Sequence, residues 1–249
     1  MKFLTWNVNH RSQKKEIPPQ IAESLISLEP DFIILTEYVP GPSHKRFMAD
    51  LGSSGYHCKV SSPDAVDENH IFVAAKIPFT EGEIQAPKLT VTSRSGKIQE
   101  ATSLPSNVFH IKIPQPGFNI LGVRIPDYSE QPLLRKACWD WLHDTTRKIH
   151  DEPFVILGDF NVDPCNSPKY FQNCFNQITR EGWQHMDQPG KESWWSAKGY
   201  GKRLDHALLS RHFQRRSSEY KTTSGKYVFA RGPGAMSDHA VLFVDAWLK

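Results

Sequence analysis

The sequence predicts a mixed α/β fold, and three observations predict it. Short apolar runs of strand type recur along the 249 residues. Two intervals between them carry apolar residues at helical spacing, so strand–helix–strand occurs twice. Polar residues close several of the runs at one end, which is where α/β sheets hold ligands.

Taken in order, Phe3-Leu4-Thr5-Trp6-Asn7 reads as a short strand ending in Asn7. Ile17, Ile21, Leu25 and Leu28 then mark a helix, with Pro18 and Pro19 in its first turn and Pro30 stopping it. Asp31 to Glu37 is a strand ending in a carboxylate. Residues 71–75, 107–113 and 118–125 read as strands, the last two joined as a hairpin by Pro116-Gly117. Gln131 to Ile149 is the second helix, with Leu134, Cys138, Trp141, Thr145 and Ile149 as its apolar face. Trp139 and Trp141 read as packing residues, because a Trp buries so much apolar area. Strand 153–158 follows, then a loop-rich region with a short helix over 165–200, then strands near 204–210 and 239–246.

The polar groups that close these runs bear on the domain count. In Phe154-Val155-Ile156-Leu157-Gly158-Asp159-Phe160-Asn161, Gly158 lets the backbone turn or be approached closely, and Asp159 and Asn161 follow it. Arg203-Leu204-Asp205 and Ser237-Asp238-His239 place two more carboxylates and an imidazole beside apolar strands. Because these groups span both ends of the chain, a division into independent domains would cut them apart. The expectation is one domain over residues 1–249.

Composition narrows the classes. No basic stretch, apolar run and cleavage site open the chain, and no apolar run reaches the roughly 20 residues a membrane helix needs. The four Cys contain no C-x-x-C pair, so free thiols in a reducing cytoplasm are expected. The net charge of +3 is unevenly spread. Between Lys202 and Arg231 lie eight cations against only Asp205 and Glu219. Such a run reads either as a solvated loop or as a surface that attracts a polyanion.

The segments Thr5-Trp6-Asn7, Leu35-Thr36-Glu37, Gly158-Asp159-Phe160-Asn161, Arg203-Leu204-Asp205 and Ser237-Asp238-His239, in that order, resemble the endonuclease/exonuclease/phosphatase superfamily. That group includes abasic-site endonucleases, pancreatic-type deoxyribonucleases, inositol polyphosphate phosphatases and sphingomyelinases. The resemblance runs from Met1 to about Trp247 and is poorest over about residues 40–120. It implies a four-layer α/β sandwich, two packed mixed sheets flanked by helices, with the site at one edge of the sheets.

It also implies roles. Glu37 is the expected ligand of Mg²⁺, with Mn²⁺ as a substitute and Asn7 and Asp238 in support. A hard ion that keeps several waters needs only one or two carboxylates. The His/Cys pattern of a zinc site is absent. Asp159 resembles the family's proton-handling carboxylate. Asn161 would hold the water or a phosphate oxygen without adding charge. His239, as an imidazolium, would donate to the phosphate, with Asp205 accepting from its other nitrogen. The abasic-site nucleases have Tyr-x-Pro-Asn where this chain has Arg124-Ile125-Pro126-Asp127. Arg124 would bind phosphate through its planar fork. That departure leaves abasic-site specificity open and the general phosphoesterase reading intact.

His70, His110 and His206 receive no role, His206 because it follows Asp205 and points to the other face of a strand. Ser193-Trp194-Trp195 reads as core or as a wall for a base or sugar. The function expected first is a Mg²⁺-dependent nuclease, its substrate a nucleic acid, with no membrane and no obligate protein partner. The alternatives are a phosphatase or phosphodiesterase on inositol phosphates, lipid headgroups or other small phosphoesters, and a catalytically silent nucleic-acid-binding module.

Overall fold

The computed structural model describes residues 1–9, 17–61, 68–93, 95–186, 188 and 191–249. Twelve strands form two six-stranded sheets. They are β1 (Lys2–Asn7), β2 (Phe32–Tyr38), β3 (His57–Val60), β4 (His70–Ala75), β5 (Thr80–Glu81) and β6 (Val108–Ile113). Then come β7 (Phe118–Arg124), β8 (Phe154–Asp159), β9 (Gln184–His185), β10 (Asp205–Leu209), β11 (Phe213–Lys221) and β12 (Val241–Leu248). One sheet runs β11–β12–β1–β2–β4–β3 and the other β9–β10–β8–β7–β6–β5. Among the described residues four α-helices lie on them: α1 (Pro19–Ser27), α2 (His44–Ser53), α3 (Pro132–Ile149) and α4 (Lys169–Arg180).

Each sheet is built around one parallel pair. β1 and β2 are parallel and joined through α1; β7 and β8 are parallel and joined through α3. All other pairings within the two sheets are antiparallel. A parallel pair needs a crossover, and the helix supplies it.

Period-two alternation sorts each strand's side chains between two interfaces. Phe3, Phe32, Ile34 and Ile71 of the first sheet meet Ile111, Ile120, Val155 and Leu157 of the second in the central layer. Leu4, Trp6, Ile33 and Leu35 face the other way, onto Ile21 and Leu25 of α1 and Phe47 and Leu51 of α2. Leu121, Val123 and Ile156 likewise face Leu134, Cys138, Trp139 and Leu142 of α3 and Phe171, Phe175 and Ile178 of α4. The result is helix, sheet, sheet, helix, the four layers expected. Phe3 stacks on Phe32 at 5.1 Å and meets Phe118 of the opposite sheet edge-on at 6.1 Å. Removing its ring would cost about 3–5 kcal/mol, the usual range for a buried Phe→Ala.

Several elements differ from the sequence reading. The buried face of α3 is Leu134, Arg135, Cys138, Trp139, Leu142, Thr145, Thr146 and Ile149, while Trp141 is half-buried. The stripe steps from Cys138 by four to Leu142, not by three to Trp141. Within the loop-rich region, α4 is a full twelve residues. The basic segment is not a loop either: much of it is the nine-residue edge strand β11. Every second residue of an edge strand faces solvent, so its polar sequence hides it. All four cysteines are free, and no helix of the described residues is long and apolar enough to cross a membrane.

Candidate active site

The two parallel pairs deliver their last residues to one cleft of about 330 Å³. Its lining includes Asn9, Glu37, Arg124, Arg135, Asp159, Asn161, Trp194, Lys202, Asp238 and His239. From the β1–α1–β2 unit come Asn7 and Glu37, and from the β7–α3–β8 unit Arg124 and Asp159. Asp205 opens β10 opposite Asp159 in register. Asp238 and His239 precede β12.

Local geometry explains why these residues stand where they do. Gly158 has φ +149°, and a Cβ there would lie 1.8 Å from the Val123 carbonyl oxygen. Only glycine lets β8 come this close to β7 just before Asp159. Glu37 has φ +51°, inside a strand whose pairing with β4 is irregular between Leu35 and Tyr38. A bulge of this kind re-aims a side chain. Asn9 and Asn161 share that left-handed backbone, at φ +50° each. Three strained residues on one cleft point to function, since such conformations persist where the surroundings hold them.

Asp159 is buried and held from three directions. Its Oδ2 accepts from Asn7 Nδ2 at 2.9 Å and from Asn161 Nδ2 at 3.1 Å, and its Oδ1 accepts from the Asn161 backbone N–H at 2.9 Å. Burial pushes this carboxyl up to about 7. His239 and Arg124 pull against that rise, and the like charges of Asp205 and Glu37 add to it. His239 Nδ1 sits 2.8 Å from Asp205 Oδ2, so Nε2 is the donor left over. Burial lowers the imidazolium's pKa, but Asp205, followed by Asp159 and Asp238, raises it to about 9. The His239 carbonyl accepts from Trp6 Nε1 at 2.8 Å, and Ser237 Oγ donates to the Asn7 carbonyl at 2.7 Å. These bonds tie the His239 loop to β1.

Glu37 has a different environment. Arg124 donates to its Oε1 from Nε at 2.8 Å and lies within 2.6 Å through Nη2. Burial opposes the charge, yet Arg124, with His239 and Asn7, holds the Glu37 carboxyl below its ordinary range. Arg124, expected on a substrate phosphate, is thus forked onto the expected metal ligand. Asp238 accepts from Asn9 Nδ2 at 2.9 Å and from Trp194 Nε1 at 2.8 Å.

The donors here are carboxylate and amide oxygens, which suit a hard divalent cation. Among the described residues no three His, Cys, Asp or Glu are grouped around a common point.

All eight residues singled out from sequence, Asn7, Glu37, Arg124, Asp159, Asn161, Asp205, Asp238 and His239, line this cleft or are bonded to one that does. Sequence reasoning missed Asn9 and Arg135. Arg135 donates to the Asn161 carbonyl at 2.5 Å and pairs with Asp127 at 2.8 Å. A cation amid the buried face of α3 was the available signal. The other histidines stay apart. His206 Nε2 lies 2.8 Å from the Val162 carbonyl and its Nδ1 lies 3.0 Å from His185. His110 bonds Asn119, and His70 bonds the Ser61 carbonyl.

A family model, Endonuclease/Exonuclease/phosphatase family, matches residues 4–239. No curated protein matches the chain. Among solved structures, an endonuclease/exonuclease/phosphatase from Beutenbergia cavernae DSM 12333 superposes with a TM-score of 0.67 at 16% identity, over 100% of this chain and 71% of that one. A family protein from Bacteroides thetaiotaomicron gives 0.67 at 14% identity, over 99% and 97%. TDP2 from C. elegans gives 0.64 at 14% identity, over 100% and 75%. At these identities the likeness is one of fold.

Proposed function

The chain belongs to the endonuclease/exonuclease/phosphatase family, whose enzymes are typically divalent-metal dependent, and we propose that it is a metal-dependent phosphodiesterase acting on nucleic acid. It would act as one catalytic domain over residues 1–249, in a reducing cytoplasm that keeps its four thiols free. One observation carries the reading. Two carboxylates at matched strand ends, Glu37 and Asp159, are pushed to opposite sides of their ordinary range beside a cationic His239. Environments that separate two titratable groups in this way separate their tasks.

Mg²⁺, or Mn²⁺ in its place, would be held by Glu37 with Asn7 and Asp238 and would supply positive charge to the phosphate oxygens. Asp159 takes a proton from the attacking water; a base with a pKa near the working pH is best matched to that task. Asn7 and Asn161 fix its carboxylate plane. His239 donates from Nε2 to a phosphate oxygen, and Asp205 holds the ring in that orientation and keeps it charged. Lys202, Arg124 and Arg135 line the same cleft and favour an anionic substrate.

Those three cations also suit a small, multiply charged phosphoester, and that is the second reading. A panel of single- and double-stranded DNA, RNA and inositol phosphates, assayed with and without added Mg²⁺ after chelation, decides between them. We expect Mg²⁺-dependent cleavage of a nucleic acid at the highest kcat/KM. Full activity of verified metal-free protein would remove the metal. An inositol phosphate that outruns every nucleic acid would install the phosphatase reading.

A further inference from the structure

A second pocket opens beside the catalytic cleft, on the far side of Trp194. It has a volume of about 520 Å³ and shares Trp194 and Asp238 with the cleft. The rest of its lining includes Trp195, Ser196, Gly199, Arg231 and Gly232. The two Trp belong to a hairpin in which Trp194 and Trp195 pair with Lys202 and Gly201. Successive residues of an extended segment point to opposite faces. Trp194 therefore turns to Asp238, while Trp195 faces the second pocket.

The hairpin is fastened to the catalytic loop. Trp195 N donates to the Asp238 carbonyl at 3.1 Å, and Ala240 N donates to the Ser193 carbonyl at 2.7 Å. The Trp195 backbone is thereby fixed relative to Asp238 and His239, and the ring nitrogen donates to Glu192 Oε2 at 3.2 Å. The Arg231 guanidinium lies over the Trp195 ring, 5.9 Å from its centre, so the two form one paired wall, and Arg231 holds a left-handed backbone at φ +62°. An indole and a guanidinium paired in the wall of a pocket that adjoins a phosphate cleft have a natural ligand. A flat, electron-rich ring carried one sugar away from a phosphate stacks on the indole and attracts the cation. An inositol phosphate or a simple sugar phosphate has no such ring to offer.

We infer that this pocket is a nucleobase subsite, which takes the unstacked base of the nucleotide whose phosphate lies in the catalytic cleft. The inference rests on the phosphodiesterase reading of that cleft and sharpens it. A base held here must leave its stack, so the preferred substrate is a single strand, an end or a frayed nucleotide rather than a continuous duplex. Recognition is by stacking, which every base supports, so sequence preference is weak.

Binding can be measured without turnover. By calorimetry in Mg²⁺ buffer, the affinity for adenosine 5′-monophosphate is compared with that for ribose 5-phosphate, which carries the same sugar and phosphate and no base. The ratio of the two is expected to be about tenfold or more in the wild type, the scale of one base–aromatic stack. In Trp195→Ala the ratio should fall to near one, and Trp195→Phe should keep most of it. Arg231→Ala should lower it by a smaller factor. Because each ratio is taken within one protein, a partly unfolded variant does not distort it. A wild-type ratio near one, or a ratio undiminished in Trp195→Ala, overturns the inference. A protein that cleaves nucleic acid but shows no such ratio keeps the nuclease reading and loses the subsite. One that shows the ratio and cleaves no nucleic acid keeps the subsite and loses the nuclease.

Discussion

In the β1–α1–β2 unit a parallel strand pair ends in Glu37; in the β7–α3–β8 unit the corresponding pair ends in Asp159. The topology is the same and the chemistry is not. Glu37 sits beyond a bulge, partly open, with the Arg124 guanidinium on one oxygen. Asp159 lies under the surface, among amide donors and two further carboxylates. The surroundings therefore hold one unit's carboxylate below its ordinary range and push the other's above it. Neither sequence position dictates this. The partner each residue meets from the opposite unit does: Arg124 comes to Glu37, and Asn7 comes to Asp159.

The strongest way to break the comparison is to neutralise each carboxylate. Asp159→Asn should cost about 10²–10⁴ in kcat, the range for loss of a general base. Glu37→Gln should also lose activity, but through cation affinity, so raising Mg²⁺ should restore part of it. A magnesium titration of both variants, with circular dichroism to check folding, separates the two. Equal rescue would mean that the two units do not divide the work.

Next in size is the pH profile. As the proposed base, Asp159 would act only when ionised, so activity should rise with pH through about 7. As the proposed donor, His239 would act only when protonated, so activity should fall as pH rises through about 9. The profile of kcat/KM should therefore be a bell with limbs near those values. Asp205→Asn removes the partner that raises His239, and the alkaline limb should move down. A flat profile from pH 6 to 10 would contradict both roles.

Arg124→Gln sharpens the contrast at Glu37. If Glu37 is the cation ligand proposed above, taking the guanidinium off it should tighten Mn²⁺ binding about fivefold or more, the lower end of ordinary coupling energies. Calorimetry without substrate reads this directly, and unchanged or weaker binding would place the cation elsewhere.

The smallest effect concerns the basic stretch. Its cations divide between the two ends of β11. Lys221 pairs in register with Val241, beside the catalytic loop, whereas Arg215 pairs with Ala246, roughly 17 Å further along at about 3.3 Å per residue. Arg216 lies 3.4 Å from Asp245 and over Trp247, and Arg211 lies 2.6 Å from Asp151. Lys202 lines the cleft and Arg231 the pocket next to it. Neutralising Lys202 or Arg231 should lower the logarithmic salt slope of DNA binding by about 0.9 per lost contact. Neutralising Arg215 and Arg216 together should change it less. A salt titration that reverses this order would move the substrate path onto β11.

The strand ends were legible in the sequence because apolar runs and the polar residues that close them are both local signals. The Gly158-Asp159-Phe160-Asn161 turn was readable for that reason, and its glycine has a steric cause in the Val123 carbonyl. What stayed hidden depends on partners far away in the chain. Nothing near Arg124 announces that it meets Glu37, 87 residues earlier. Asn9 gains meaning only from Asp238, and Trp195 only from Arg231. β11 escaped because Phe213-Gln214-Arg215-Arg216-Ser217-Ser218-Glu219-Tyr220-Lys221 has too few apolar residues to alternate. Helix α2 offered only Phe47 and Leu51 as a buried face.

The two bonds that tie the His239 loop to β1, Trp6 to His239 and Ser237 to Asn7, span 233 and 230 residues. They set a timetable. At about 5–20 residues per second of synthesis, the first strand waits roughly ten to fifty seconds for the loop that completes it. During that interval β1 has β2 on one side, and its other edge lacks the native partner β12, an opening for pairing with a neighbouring chain. Contacts of such sequence separation are also slow to close once the chain is free. Once β12 docks, β1 gains its second neighbour and the His239 loop its two ties to β1, so the cleft closes late and in one step.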